Sequence, residues 1–228
     1  MGNRSGATQF FLDTCDPAAV ERWAPTGVVA GITTNPVVLA KAGYGSDLGV
    51  ISTIARIIAP FPVCVQVTAT DPETVRAEAE KLAGVADNIV VKVPITTERG
   101  ASLIDPIKDL AVAGVRVNAT GCMTTLQVVH AYRAGAHYAS LLYGRIRDSG
   151  GDPVAEVRRV REWVDAAGTD NEVIVGSIRA VGDLMSVWDA APHIITTPPE
   201  ILQRSLDHPY TRTTVQEFVD AARGEGWT

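Results

Sequence analysis

Lys92 lies inside the run Asn88-Ile89-Val90-Val91-Lys92-Val93-Pro94, which otherwise reads as a strand buried on both faces. Burying an ammonium group without a partner is expensive, so a lysine there needs a chemical reason. Desolvation depresses a lysine's pKa, and the neutral amine can then attack a carbonyl and form a Schiff base. The plainer alternative is a lysine that snorkels or pairs at a strand end. Lysine is scarce in this chain: Lys41, Lys81, Lys92 and Lys108 stand against sixteen arginines, and the other three fall in loop or helical stretches.

Further polar residues sit where apolar runs end. Asp13 and Thr14 follow Phe10-Phe11-Leu12, and Gly31-Ile32-Thr33-Thr34-Asn35-Pro36 closes a second run. Gln66 stands between Val65 and Val67, Asn118 and Thr120 end a fifth run, and Ser140 leads on to Gly144-Arg145. Gly176-Ser177-Ile178-Arg179 closes a seventh. Each has an ordinary reading. Asp13 serves as a helix cap or turn former before Asp16-Pro17, Asn35-Pro36 is a turn, Ser177 caps a helix, and Arg145 is a surface arginine. Those readings do not explain why so many such residues converge on strand ends.

The elements that must position them alternate from end to end. Strand-like runs cover 9–13, 28–32, 62–68, 88–93, 115–120, 137–142, 172–176 and 193–196, with helix-like segments between. The segment 72–85 opens with Asp71-Pro72-Glu73 as cap, first-turn proline and first-turn acid, and Asp152-Pro153 starts 154–167 in the same way. Eight such units predict a single-domain (β/α)8 TIM barrel with core 9–206 and an additional C-terminal helix at 211–223. A doubly wound sheet competes, but no Gly-x-Gly-x-x-Gly follows an early strand. In a barrel, catalytic groups come from the C-terminal ends of strands, where this polar set falls. Alternation places Asn88, Val90 and Lys92 on one face of the fourth strand and Ile89, Val91 and Val93 on the other. If the second set meets the helices, Lys92 points into the barrel.

Composition narrows the class. The 228 residues are 46% hydrophobic with net charge −6, enough for a sizeable core and without the basic stripe of a nucleic-acid binder. A few arginines can still build a local positive pocket for an anionic small substrate. Cys15, Cys64 and Cys122, with four scattered histidines, show no metal-ligand spacing and no disulfide framework. Cys15 and Cys122 are expected near the barrel mouth as packing residues, and His208 in a loop. Trp23, Trp163, Trp188 and Trp227 read as packing or interface residues. The first six residues lack the apolar region of a signal peptide, and no run approaches a membrane span, so a cytoplasmic protein is expected.

Together, Phe11-Leu12-Asp13-Thr14, Gly31-Ile32-Thr33-Thr34-Asn35-Pro36, Val90-Val91-Lys92-Val93-Pro94 and Gly176-Ser177-Ile178-Arg179 resemble the transaldolase family, in particular the small subgroup that includes fructose-6-phosphate aldolase. The resemblance runs from about residue 9 to about residue 220. It implies a class I aldolase barrel with no metal or organic cofactor, acting on sugar phosphates. By position, Lys92 would form the Schiff base and Asp13 would take the substrate hydroxyl proton as the carbon–carbon bond breaks. Asn35, Asn118 and Ser177 would hold hydroxyls of the three-carbon unit, with Thr33 and Ser140 also contacting substrate. Thr120 and Gln66 would position a proton-shuttling water, and Arg145, Arg179 and Ser177 would bind phosphate. The resemblance also implies a homo-oligomer, pentamer or decamer, in which the C-terminal helix with Phe218 and Val219 reaches a neighbour.

The match departs from the family at informative places. Gln66 is the aldolase-type residue, whereas Asn118 and Ser140 are transaldolase-type. Leu142 stands where an aromatic residue is expected, with Tyr143 beside it, and Gly121-Cys122-Met123 replaces an apolar segment. The expected activity is transfer of a dihydroxyacetone unit from fructose 6-phosphate or sedoheptulose 7-phosphate to an aldose phosphate, including a nonstandard one of specialised metabolism. The alternatives are an aldolase that releases free dihydroxyacetone, another Schiff-base barrel of the deoxyribose-phosphate aldolase type, and a noncatalytic sugar-phosphate binder on the same fold. The deoxyribose-phosphate type does not predict Asp13 together with Thr-Thr-Asn-Pro.

Overall fold

The structure, a computed structural model, describes residues 7–224, so Trp227 and the first six residues lie outside it. Eight short runs rich in β-branched residues form β1 (Gln9–Asp13), β2 (Val29–Thr33), β3 (Val63–Gln66), β4 (Ile89–Pro94), β5 (Val117–Cys122), β6 (Tyr138–Leu142), β7 (Glu172–Gly176) and β8 (Ile194–Thr197). They close in chain order into a barrel in which each strand runs parallel to its neighbours. The connecting helices among the described residues are α1 (Pro17–Trp23), α2 (Pro36–Lys41), α3 (Leu48–Ile58), α4 (Pro72–Ala83), α5 (Ile104–Val112), α6 (Thr125–Arg133), α7 (Tyr143–Asp148), α8 (Pro153–Ala167), α9 (Val181–Trp188) and α10 (Pro199–Ser205). A further helix, α11 (Pro209–Ala222), follows.

The predicted helix starts are there. Asp71 accepts from the Thr74 amide at the start of α4, and Asp152 accepts from the Ala155 amide at the start of α8. Asp16, not Asp13, caps α1 through the Ala18 amide, which leaves the Asp13 carboxylate free to face inward. His208 lies in the loop before α11, as expected. Its Nδ1 accepts from the Tyr210 amide and caps α11.

Strand alternation divides the apolar residues into two cores. Ile89, Val91 and Val93 join the layer between sheet and helices, while Val90 packs with Phe11, Cys64, Tyr138, Ile174 and Ile194 inside the barrel. That apolar plug fills the interior below the strand ends, as a closed eight-stranded barrel requires. Trp163 stacks on Tyr132 and Trp188 on Phe10, both as packing partners. The helix α11 has no buried residue, and Tyr210 and Phe218 are 78% and 66% exposed. No described helix is long and apolar enough to cross a membrane.

Candidate active site

Above the apolar plug the inward positions turn polar. Lys92 is only 6% exposed and pairs in register with Gln66 on β3 and Asn118 on β5. Its Nζ donates to the Thr34 carbonyl at 2.9 Å. Burial pushes its pKa below the ordinary lysine value, and Asp13 and Cys64 oppose that fall. Asp13 responds in mirror image. Burial raises it, the Lys92 charge and the Thr33 hydroxyl pull it back, and Glu200 adds to the rise. Asp13 as a residue is half-buried, so its carboxyl is desolvated without being sealed off. Burial thus favours the neutral form of each group, and their mutual attraction favours the charged pair.

The neighbouring positions supply hydrogen-bonding groups. Ser140 Oγ donates to Asn118 Oδ1 at 2.9 Å, and the buried Asn118 Nδ2 has no well-formed hydrogen bond, only the weakly accepting Cys64 sulfur beside it. An unpaired buried amide donor is uncommon and points to a ligand. Thr120 is buried and faces inward with Asn118, and Gln66 is half-buried at the end of β3. Asn35 does cap α2: its Oδ1 accepts from the Val37 and Val38 amides, which leaves its Nδ2 as the remaining donor. Thr33 is 1% exposed, and its hydroxyl lies 2.9 Å from Asp13 Oδ1 and 2.6 Å from the Thr196 hydroxyl.

The arginines occupy a different environment. Arg179 is exposed, and its fork grips both Asp148 oxygens at 3.0 and 2.7 Å. Arg145 is exposed, and its charge helps to lower the Asp148 carboxyl. Arg147 pairs with the buried Asp183 at 2.6 Å, and Asp183 also accepts from the Arg179 and Ala180 amides. Ser177, at the turn out of β7, holds φ +62°, a region that costs a non-glycine residue about 1–3 kcal/mol. It is not a helix cap. Its carbonyl accepts from the Gly144 amide, and any Cβ at Gly144 would come within 2.7 Å of that oxygen and of Arg179 Nε. Glycine at 144 therefore lets β6 and β7 bring Ser177 and Arg179 against the start of α7.

Cys122, the last residue of β5, packs as expected: a register shift between Ala119 and Cys122 turns its sulfur into the helix–sheet layer. Cys15 is likewise buried in that layer, with its sulfur toward the Val38 carbonyl. Tyr143, beside Leu142, packs in the same layer with the Arg147 guanidinium 5.5 Å from its ring. The residues that sequence reasoning missed are Thr196 and Cys64. Burial raises the Cys64 thiol to about 11 against the pull of Lys92 and of the Asn118 amide, so it sits beside the lysine as a neutral thiol.

Among the described residues, no group of three or more His, Cys, Asp or Glu side chains is arranged to hold a metal ion. The fold is shared with mandelate oxidase, at TM-score 0.59 and 13% identity over 86% of this chain and 65% of that structure. Flavocytochrome b2 gives TM-score 0.58 and 12% identity over 85% of this chain and 57% of that structure. The chain spans about two thirds or less of those proteins, and at such identity the likeness is one of fold. Sequence relatives are nearer. A probable transaldolase of Phenylobacterium zucineum (strain HLK1) is 38% identical over 211 residues, 92% of this chain and 94% of that protein. One of Caulobacter sp. (strain K31) is 34% identical over 218 residues, 96% of this chain and 98% of that protein. With residues 10–225 also matching the family Transaldolase/Fructose-6-phosphate aldolase, the chain belongs to the transaldolase/fructose-6-phosphate aldolase family.

Proposed function

We propose that this chain is a transaldolase working through a Schiff base on Lys92. The observation that carries the proposal is a lysine buried inside the barrel, driven toward its neutral form by desolvation, with an oriented carboxylate in the same layer. The Lys92 amine attacks the C2 carbonyl of a ketose phosphate and loses water to give an iminium ion. Asp13 accepts the C4 hydroxyl proton, the C3–C4 bond breaks, and its electrons pass into the iminium as an enamine on Lys92. The first aldose phosphate leaves. The enamine then attacks the aldehyde carbon of a second aldose phosphate, Asp13 returns the proton to the new hydroxyl, and hydrolysis frees the product ketose.

The other candidates take supporting roles in this reading. Asn118 Nδ2 and Asn35 Nδ2 are donors left for hydroxyls of the three-carbon unit, with Ser140 fixing the Asn118 amide and Ser177 alongside. Gln66 and Thr120 hold the water exchanged at the imine. Arg145 and Arg179 bind phosphate, and Asp148 must share or yield the Arg179 fork. Thr33 acts on Asp13 rather than on substrate. Leu142 ends β6 on the face of Tyr138 and Ser140, so the wall above Ser140 is aliphatic, which suits a bulkier acceptor. The exposed apolar side chains of Tyr210, Val215 and Phe218 on α11 support a homo-oligomer, pentamer or decamer, which light scattering would measure.

Incubation with fructose 6-phosphate and borohydride, followed by intact mass and peptide mapping, tests the proposal. A reduced three-carbon adduct on Lys92 is the expected result. No adduct from this donor or from sedoheptulose 7-phosphate would overturn it. Gln66 favours a second reading, an aldolase that releases dihydroxyacetone. Free dihydroxyacetone formed at full rate without an acceptor would select it.

A further inference from the structure

Three strands meet around Asp13. In the register of β8, β1 and β2, Thr196 stands opposite Phe11, and Thr33 stands opposite Asp13. The two threonine hydroxyls thus meet across the inner face of β1, 2.6 Å apart, although their residues are 163 positions apart in the chain. A hydroxyl carries one proton. While Asp13 is ionised it can only accept, so the Thr33 proton is committed to Asp13 Oδ1 and Thr196 must be the donor to Thr33. The methyl of Thr196 is seated where Gly176 leaves room, since a Cβ there would stand 3.1 Å from Thr196 Cγ2. With the methyl so placed, the hydroxyl faces Thr33.

We infer that Thr196 is a positioning residue whose hydroxyl directs the Thr33 O–H onto Asp13 and thereby sets the orientation and basicity of that carboxylate. The catalytic consequence rests on the reading of Asp13 as the base of carbon–carbon cleavage. Both hydroxyls are buried, at 1% and 6% exposure, so the chain Thr196 → Thr33 → Asp13 competes little with bulk solvent. The other groups that bear on Asp13 are Lys92 from β4, Glu200 from α10 and the Cys15 thiol just beyond β1. Neither threonine exchanges a proton with substrate. Asp13 alone takes the C4 hydroxyl proton, and the threonines hold it in its receiving geometry.

Removing the Thr196 hydroxyl leaves Thr33 without its donor, so the Thr33 O–H is less polarised and freer to turn. Hydrogen bonding to the ionised form favours that form, so its weakening moves the Asp13 titration further up. Thr196→Val removes the hydroxyl at nearly constant shape, and Thr196→Ser keeps it. Two measurements decide. The first is the Asp13 carboxyl titration by carbon-13 NMR, assigned with Asp13→Asn, which needs no substrate. Thr196→Val is expected to raise the midpoint by about half a unit or more and Thr196→Ser to restore it. An unchanged midpoint overturns the inference. The second is borohydride trapping with fructose 6-phosphate. Slower cleavage in Thr196→Val shifts the Lys92 adduct from three carbons toward the uncleaved six-carbon form and lowers kcat about fivefold. The donor KM changes by less than about twofold. A wild-type adduct pattern in Thr196→Val also overturns it. A shifted midpoint in a protein that traps no adduct leaves the hydroxyl chain standing and removes the aldol reading. An adduct with no shift does the reverse. If Thr196→Val does not fold, Thr196→Ala carries the same expectations.

Discussion

The barrel interior and its rim carry charge in opposite ways. Inside, Lys92 and Asp13 are desolvated, and burial moves each toward its neutral form. At the rim, Arg179 and Asp148 are half exposed and hold each other in charged form: the Arg179 hydrogen bonds lower the Asp148 carboxyl, and Asp148 raises Arg179. Interior protonation states are therefore adjustable, which suits the proposed proton transfer at an imine, while rim charges are permanent, which suits the proposed anion binding. The difference follows from depth in the barrel, since both regions lie at the C-terminal ends of its strands.

The sharpest way to break this comparison is Lys92→Met. It should abolish borohydride trapping and lower transfer by about three orders of magnitude or more, measured by coupled assay, while the fold is retained on removal of a buried charge. Asp13→Asn comes next, with kcat down about 10²–10⁴-fold and a six-carbon adduct still trapped on Lys92. In the wild type, kcat/KM should rise with pH from the acid side. Asp13 is ionised only above its raised pKa, and Lys92 is neutral only above its lowered one.

Arg179→Ala tests the rim. The KM for phosphorylated donors should rise about tenfold or more with a smaller change in kcat, and that contribution should weaken with added salt because the group is exposed. The smallest effect lies away from both regions. His193 Nδ1 accepts from the Val173 amide, and burial lowers the histidine from 6.5 to about 4. Between those values the unfolded chain binds a proton that the folded one does not, so folding stability falls as pH drops through this window. Its half-buried position keeps the effect modest, visible as a lower urea midpoint that His193→Gln makes less pH-dependent.

Much of the fold was legible because its signals are local. Alternation around Lys92 correctly placed Val90 inward and Ile89, Val91 and Val93 against the helices. Asp71-Pro72 and Asp152-Pro153 marked helix starts through contacts within three residues. Cys122 could be read as a packing residue, but not its direction, because a single register shift in β5, where Gly121 takes φ +75°, breaks the alternation. Thr196 escaped notice because its partner is 163 residues away and its own run reads as ordinary strand. The Arg179–Asp148 pair, 31 residues apart, was equally invisible.

The sequence by itself determined the strand and helix order, the inward face of β4 and the family to which the chain belongs. These depend on residue period, capping chemistry and motif identity, all readable over a few neighbours. Only the tertiary structure decided which hydroxyl reaches Asp13, which carboxylate holds Arg179, and in which direction the Asp13 titration moves. Hydrogen-bond partners and desolvation are set by closure of β8 onto β1, and closure joins residues that no local pattern relates.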